Sequence, residues 1–213
     1  MRGKGKLRKG LFLAFEGIDG SGKSTQIRLL NDRLLKEGCR VYQTCEPSGG
    51  PIGSQIRQIL TGRMKADSRV IAALFAADRL DHLLNDINGM AARIEEGITV
   101  LTDRYYFSSY AYHSVDVPMD WVIAANEESR KVLKPDLNIF IDIDADTAME
   151  RITRNRFLQE LFEKKSLLEK IRANYLKAFE LFKDSEKVLV VDGKKNPKEI
   201  AEVIWNEVKR LNE

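Results

Sequence analysis

The sequence GIDGSGKS, residues 17–24, is the strongest indication of the fold of this chain. It matches the pattern GxxxxGK followed by Ser or Thr, and it lies between an apolar run, Leu11–Phe15, and an amphipathic run, Thr25–Lys36. A phosphate-binding loop (P-loop) requires such a strand before it and a helix after it. Its glycines let backbone N–H groups point at phosphate oxygens, and the start of the helix adds a favourable dipole. We therefore predict a nucleoside triphosphate site here.

Two side chains of the loop have separate expected roles. Lys23 would bridge the β- and γ-phosphates, and Ser24 would ligate Mg²⁺. The predicted ATP-binding residues are Gly17, Ile18, Asp19, Gly20, Ser21, Gly22, Lys23, Ser24 and Thr25. Motors, GTPases and kinases all use P-loops, so the rest of the chain has to distinguish among them.

Strand-length apolar runs and longer helical runs alternate along the chain. The further predicted strands are Val41–Thr44, Ile98–Thr102, Leu137–Ile141 and Val188–Val191. The further predicted helices are Ile52–Thr61, Ile71–Glu96 with a weak point at Asn88-Gly89, Met119–Leu133, Asp146–Arg154, Leu167–Phe182 and Pro197–Leu211. This alternation predicts parallel strands connected by helices, and the continuously apolar strands favour helices on both faces of the sheet.

The composition of the 213 residues, 43% hydrophobic and 31% charged, is ordinary for one folded domain, which we place at residues 11–213. The first ten residues carry five Lys or Arg, and without them the formal net charge of +3 becomes −2. We predict that residues 1–10 form a disordered basic tail, with weak polyanion contact as the alternative.

Several classes of protein are excluded or disfavoured by what the sequence lacks. No apolar run approaches the roughly 20 residues that span a bilayer, so we expect a cytoplasmic protein without membrane contact. Cys39 and Cys45 form no CxxC pattern and there are only two histidines, so a disulfide framework or a structural zinc site is disfavoured. We expect no specific nucleic-acid partner.

The third predicted strand ends in an acid and a base. Asp103 and Arg104 stand at its carboxyl end, where open α/β sheets bind ligands. Asp103 could hold Mg²⁺ through water, and Arg104 could contact a phosphate bidentately. The alternative is a surface ion pair at the end of a strand.

Five separated motifs occur in the order typical of one family. They are the P-loop with Asp19, Glu46-Pro47, the segment LFAADR at 74–79, Asp103-Arg104-Tyr105 and Pro135-Asp136-Leu137. Over residues 11–211 the chain resembles the thymidylate kinase family. The resemblance implies a three-layer α/β P-loop NTPase fold whose five-stranded parallel sheet has the order 2-3-1-4-5, with helices on both faces and a short lid around residues 151–166.

The resemblance also implies an activity, the Mg²⁺-dependent transfer of the γ-phosphoryl group of ATP to dTMP. It implies a homodimer formed through helices beside the sheet, and the apolar stripe of Ile71–Leu84 suits this, although core packing explains the stripe equally well.

The acceptor residues are carried over from the family residue by residue. Phe75 would stack on thymine, and Arg79 would donate to the base O4, which cytosine replaces with an amino group. Phe75 could instead be a core residue. The predicted dTMP-binding residues are Asp19, Glu46, Pro47, Arg57, Phe75, Arg79, Arg104, Ser108, Ser109 and Tyr112. His113 is given no proton-transfer role, and Cys45 departs from the arginine of many bacterial relatives.

We expect a lid arginine to supply the positive charge that stabilises the transition state. The reason is that Gly20 fills the P-loop position where some relatives carry an arginine. The predicted catalytic residues are Lys23, Asp19, Arg104, Arg151, Arg154 and Arg156, and the predicted metal-binding residues are Ser24 and Asp103. Asp19 would orient the acceptor or help to organise Mg²⁺. It is not assigned as a general base, because the dTMP phosphate is already ionised.

Three alternatives remain at this point. A kinase of dUMP or of a deoxynucleoside would share most of these motifs, because the shape of a pocket decides the 5-methyl preference. A non-catalytic P-loop module would be expected to have lost Lys23, Asp103 or Arg104, and all three are present. A regulatory GTPase would need an Asn-Lys-x-Asp guanine reader, which the sequence lacks.

Overall fold

The computed structural model describes residues 10–154 and 165–211, apart from the side chains of residues 153 and 154. Its sheet contains β1 (Phe12–Glu16), β2 (Val41–Cys45), β3 (Thr99–Asp103), β4 (Leu137–Asp142) and β5 (Val188–Asp192). All neighbouring strands are parallel, in the order β2-β3-β1-β4-β5. The predicted fold class and strand order are therefore confirmed. Residues 1–9 of the predicted tail and most of the predicted lid lie outside the described residues.

The helices of the described residues surround this sheet. They are α1 (Lys23–Lys36), α2 (Pro51–Leu60), α3 (Ser68–Leu84), α4 (Met90–Glu95), α5 (Tyr106–Tyr112), α6 (Met119–Val132), α7 (Ala145–Arg154), α8 (Lys165–Phe182) and α9 (Pro197–Arg210). None of the helices within residues 10–154 and 165–211 is long and apolar enough to cross a membrane.

The single helix predicted over Ile71–Glu96 is wrong, because the chain breaks it into α3 and α4. Asn85 has an extended ψ of 126°, and its side-chain oxygen accepts a hydrogen bond from the Ile87 backbone. Asparagine side chains compete in this way with helical hydrogen bonds. At Gly89 a Cβ atom would lie 2.5 Å from the Asn85 carbonyl oxygen, so only glycine fits the turn that leads into α4.

Helix α5 was missed from the sequence because it has no solvent-exposed face. All seven of its residues are buried, so the hydrophobic period that marks a surface helix is absent. Its rings pack against α8, where the centroids of Phe107 and Phe179 are 4.8 Å apart. Helix α5 follows β3 directly in the chain, and this packing holds it in the interior.

Two hydrophobic layers lie on the two faces of the sheet, and β1 contributes to both. Phe12 and Ala14 belong to the layer under α5 and α8, whereas Leu11, Leu13 and Phe15 belong to the layer under α1 and α9. Successive side chains of a strand point to opposite faces, so a strand that is covered on both sides is apolar throughout. The carboxyl end of β1 therefore leads from the middle of the molecule into the P-loop.

Core and surface leucines should differ sharply in their contribution to stability. Leu13→Ala, in a fully buried position, should lower the free energy of unfolding by about 2–5 kcal/mol through lost burial and the cavity left behind. The control Leu35→Ala removes the same atoms from a side chain that is 53% exposed, and should change it by less than about 0.5 kcal/mol. Urea unfolding of both variants measures this, and equal losses would contradict the assigned layers.

Candidate active site

The P-loop holds its conformation through glycines and its own lysine. Gly17 and Gly20 have φ values of 144° and 78°, and a Cβ at Gly20 would lie 2.9 Å from the Ala148 carbonyl oxygen. Lys23 donates to the Gly17 carbonyl at 3.1 Å and to the Ile18 carbonyl at 3.4 Å. Burial, helped by the charge of Arg104, lowers the pKa of Lys23. An anion in the loop would favour its charged form.

Asp103 and Ser24 meet because β1 and β3 are neighbours, with Phe15 paired to Asp103. Ser24 Oγ donates to Asp103 Oδ2 at 3.2 Å. Asp103 Oδ1 is buried and accepts no hydrogen bond from the described residues, and Lys23 Nζ lies 3.9 Å from it. The pair thus presents a hydroxyl and a carboxylate oxygen beside the P-loop lysine, which is a donor set that suits Mg²⁺.

Arg104 joins β3 to the P-loop through an ion pair. Its Nη2 lies 2.5 Å from Asp19 Oδ1 and donates to the Tyr112 hydroxyl at 2.9 Å, and that hydroxyl donates to Asp19 Oδ2 at 3.0 Å. Burial alone would raise the pKa of Asp19, but Arg104 and Lys23 outweigh it and hold the pKa below its ordinary value. Asp19 is therefore an ionised carboxylate that fixes the guanidinium.

The backbone of Arg104 is unusual, because its φ is 77°. In the described part of the chain it is the one residue other than glycine with a positive φ. Such a conformation is sparsely populated for a non-glycine residue and is found at functional sites. Thr102 Oγ1 supports it by donating to the Arg104 carbonyl at 2.9 Å. The turn directs the side chain back over the P-loop, where it also donates to the Gly17 carbonyl at 3.2 Å.

Glu16, which the sequence analysis did not single out, lies beneath this group. Its Oε2 accepts from Ser108 Oγ at 2.5 Å and from the Tyr175 hydroxyl at 3.0 Å, and its Oε1 accepts from the Tyr105 backbone at 2.9 Å. Burial raises the pKa of Glu16 to about 7, against the opposing effect of these hydrogen bonds and of Arg104. An acid ending an otherwise apolar strand was the signal that could have identified it.

Arg79 is anchored by a buried ion pair with Glu46. The Nη2–Oε2 distance is 2.5 Å, and both side chains are 1% exposed. Nη1 donates to Ser109 Oγ at 3.1 Å and also to Asn126 Oδ1, a residue that the sequence analysis missed. Hydrogen bonds to these partners use four of the five N–H groups of the guanidinium. One N–H group on Nη2 remains.

Phe75 is half-buried and packs against His113, with ring centroids 4.8 Å apart. Burial and the nearby charge of Arg79 lower the pKa of His113 to about 3, so this imidazole is neutral at physiological pH. Phe75 and His113 thus form an uncharged aromatic wall next to Arg79.

Arg57 holds the turn after β2. It donates from Nη1 to the Ser48 carbonyl at 2.5 Å and to the Pro47 carbonyl at 3.2 Å. Asp78 holds the same turn from α3, accepting from the Ser48 backbone and from the Ser48 hydroxyl at 2.6 Å each. The Glu46-Pro47 peptide within this turn is cis. The predicted phosphate ligand Arg57 is therefore held at the edge of the pocket by carbonyl oxygens.

Of the three lid arginines, the structure describes the side chain of Arg151 alone. It donates to the Gly20 and Ser21 carbonyls at 3.3 Å each and to the Gly193 carbonyl at 2.9 Å. Arg151 therefore links the P-loop to the turn after β5. The side chain of Arg154, and Arg156 altogether, lie outside the described residues.

A single cavity of about 850 Å³ brings these groups together. Its lining includes every predicted site residue whose side chain is described except Gly17 and Ile18. The lining residues that were not predicted are Gln26, Cys45, Leu60, His113, Ile152, Gly193, Lys195, Pro197 and Ile200. The last four follow β5, and the rule that ligands bind beyond the carboxyl ends of parallel strands could have identified them.

The sheet is open and parallel, and its central strand leads into a P-loop. The cavity that contains the P-loop also contains several arginines on its other side. These features define a P-loop phosphotransferase. A sequence profile of the family described as thymidylate kinase matches residues 15–204. The chain belongs to the thymidylate kinase family.

Relatives from several organisms agree with this assignment. The chain is 41% identical over 202 residues to a probable thymidylate kinase of Pyrobaculum aerophilum, covering 94% of this chain and 97% of the relative. It is 35% identical over 202 residues to a probable thymidylate kinase of Methanocaldococcus jannaschii, with the same coverage. It is 34% identical over 209 residues to a thymidylate kinase of Acholeplasma laidlawii, covering 94% of this chain and all of the relative.

The raised pKa of Glu16 predicts a specific pH dependence of stability. Between pH 4.5 and about 7 the unfolded chain releases the Glu16 proton while the folded chain keeps it, so this residue's contribution to the free energy of unfolding falls as the pH rises. The difference in this free energy between the unchanged protein and Glu16→Gln should therefore decrease by roughly 2–3 kcal/mol across that range and level off above it.

Urea unfolding at several pH values measures the difference. The control Glu37→Gln makes the same change at an exposed position, and its difference from the unchanged protein should vary much less. A Glu16→Gln difference that is constant with pH would contradict the raised pKa.

Proposed function

We propose that this protein phosphorylates thymidylate, transferring the γ-phosphoryl group of ATP to dTMP to give dTDP and ADP. The observation that carries the proposal is the single cavity in which the P-loop lysine and the Phe75/Arg79 pocket are joined. Membership of the thymidylate kinase family supports the same acceptor. In this arrangement the donor's last phosphate and the acceptor's phosphate share the space around Arg104.

The donor phosphates would lie in the P-loop. Backbone N–H groups of the loop and Lys23 would bind their oxygens, and Lys23 would exchange its present carbonyl partners for phosphate. Mg²⁺ would be held by Ser24 and Asp103, whose buried Oδ1 has no hydrogen-bond donor among the described residues. When bound, Mg²⁺ neutralises charge on the β- and γ-phosphates.

The acceptor base would stack on Phe75. Arg79 is fixed by Glu46 and Asn126, so its remaining N–H group has a defined direction, and Arg79 lines the cavity. A guanidinium can donate to the O4 atom of thymine or uracil but cannot accept from the amino group of cytosine. This chemistry supports discrimination against dCMP.

Charge neutralisation would supply most of the rate. Phosphoryl transfer requires little covalent chemistry from the protein, so positioning and electrostatic stabilisation dominate. Arg104 and Arg57 would bind the dTMP phosphate, and Arg151 would add positive charge beside the P-loop. Asp19, held ionised by Arg104, would keep that guanidinium in line.

Four further expectations from the sequence stay predictions. The resemblance implies a homodimer and a lid around residues 151–166 that supplies Arg151, Arg154 or Arg156. The composition predicts a cytoplasmic location and a single domain over residues 11–213.

The acceptor identity is tested by ADP release with ATP and Mg²⁺ against dTMP, dUMP, dCMP, dGMP and AMP. We expect strong preference for dTMP, and Lys23→Ala should lower kcat/KM by at least about 10²-fold because it removes a charge that neutralises the transferring group. A monophosphate other than dTMP as the preferred acceptor would contradict the acceptor assignment and leave the P-loop assignment standing.

The role of Phe75 is tested by Phe75→Leu, which keeps an apolar side chain but removes the aromatic face. The KM for dTMP should rise roughly 5- to 100-fold, since base stacking contributes about 1–3 kcal/mol, while the KM for ATP should hardly change. Phe182→Leu, outside the cavity, is the matched control. If Phe75→Leu lowered stability without raising the KM for dTMP, Phe75 would be a core residue.

A further inference from the structure

A buried histidine lies beside the ion pair that holds Arg79. Arg79 and His82 are three residues apart on α3, so their side chains are neighbours on one face of the helix. Both approach the carboxylate of Glu46, Arg79 at Oε2 and His82 with Nδ1 at 3.6 Å from Oε1. Arg79 and Glu46 line the cavity, whereas His82 does not. His82 is therefore placed to act on the pocket through Glu46.

The carboxylate of Glu46 binds Arg79 through one oxygen. A guanidinium and a carboxylate frequently pair through two parallel hydrogen bonds that use both oxygens. Here Nε and Nη2 of Arg79 both donate to Oε2 of Glu46. Oε1 is buried and accepts no hydrogen bond from residues 10–154 or 165–211. An unpaired carboxylate oxygen in the interior costs free energy, so this orientation of Glu46 needs a donor beside Oε1.

The Nδ1 atom of His82 is the donor placed to meet this need. It too is buried, and it makes no hydrogen bond within the described part of the chain. A shift of a few tenths of an ångström would bring it within hydrogen-bond distance of Oε1. The other ring nitrogen, Nε2, lies 2.7 Å from Thr44 Oγ1 on β2. A flip of the ring would remove both nitrogens from these partners, so the two contacts fix its orientation.

The position of the ring proton follows from the two partners. A hydroxyl group can donate or accept, whereas the carboxylate of an ion pair only accepts. A proton on Nε2 alone would turn the lone pair of Nδ1 toward Glu46, which is repulsive. Nδ1 therefore carries a proton whether the ring holds one proton or two, and the Thr44 hydroxyl can serve Nε2 in either case.

We propose that His82 is a positioning residue for the choice of the acceptor base. Its Nδ1–H group donates to Glu46 Oε1, which keeps Oε2 on Arg79 and so fixes the direction of the remaining N–H group of that guanidinium. The inference rests on the proposed thymidylate phosphorylation, in which Arg79 donates to O4 of the base. His82 itself would touch no substrate.

The experiment compares kcat/KM for dTMP and for 4-thio-dTMP, with ATP and Mg²⁺. The analogue differs from dTMP only in the sulfur that replaces O4, and sulfur is a weak hydrogen-bond acceptor. The ratio of the two values therefore reports the contact between Arg79 and atom 4 of the base. For the unchanged protein we expect dTMP to exceed the analogue by about tenfold.

Two substitutions of His82 form a matched pair. The amide nitrogen of asparagine can take the place of Nδ1, whereas that of glutamine can take the place of Nε2. His82→Asn therefore keeps the donor to Glu46 and loses the contact with Thr44, and His82→Gln does the reverse. In His82→Gln the ratio should fall to about twofold, mainly through a higher KM for dTMP, whereas His82→Asn should keep most of the tenfold preference.

The pair separates positioning from a purely structural role. Both substitutions remove the ring, so both should lower the free energy of unfolding, which urea unfolding measures. A structural role alone would change the ratio alike in the two variants. A ratio in His82→Gln that is no lower than that in His82→Asn would overturn the inference.

Nitrogen-15 NMR of the unchanged protein tests the donor without any variant having to fold. The chain has two histidines, and protonated and unprotonated ring nitrogens give separate signals. We expect a proton on Nδ1 of His82, and a proton on Nε2 alone would contradict the proposal.

The failure of this inference can be told apart from the failure of the proposed function. Equal use of dTMP and 4-thio-dTMP by the unchanged protein would overturn the inference while thymidylate phosphorylation stands. Absence of dTMP phosphorylation by the unchanged protein would overturn the proposed function, and this inference with it.

Discussion

The ion pair between Arg104 and Asp19 is the interaction on which the rest of the site depends. It connects the carboxyl end of β3 to the P-loop and brings in α5 through Tyr112. The pairing of β1 with β3 makes it possible, because it sets Phe15 beside Asp103. The strained backbone of Arg104 is tolerated because hydrogen bonds fix the turn. Its own N–H donates to the Phe15 carbonyl at 2.9 Å, and Thr102 Oγ1 donates to its carbonyl at 2.9 Å. The two sides of the cavity, the P-loop and α5, are thus joined by one ion pair.

Carboxylates hold the positive side chains of the site in place before any substrate is present. Asp19 holds Arg104 and Glu46 holds Arg79, whereas Arg57 is held by carbonyl oxygens. A buried ion pair of this kind costs desolvation free energy, and its benefit is a fixed geometry for the charges. Positioned charges of this sort favour phosphoryl transfer because they need little reorganisation during the reaction.

The sequence was sufficient to predict what depends on local order. The P-loop, the five strands and their parallel arrangement follow from motif, period and context, and the family resemblance supplied the strand order. Helix α5 could not be predicted from period because tertiary packing buries all its faces. The partners of Glu16 and Arg79 could not be predicted either, because Ser108 is 92 residues away from Glu16 and Asn126 is 47 residues away from Arg79. Pairings over such distances depend on the fold as a whole.

The complete burial of α5 ties the lining of the cavity to the packing of the core. Ser108, Ser109 and Tyr112 face the cavity from a helix whose other residues pack among aromatic rings. A substitution there disturbs the interior together with the pocket. The outer face of α3 is more tolerant, because Phe75 is half-buried and Val70 is 50% exposed, whereas Arg79 on the same helix is held in a buried ion pair. If the cavity binds the acceptor as proposed above, changes of acceptor, in nature or in directed evolution, should accumulate first on this outer face of α3 and only later on α5.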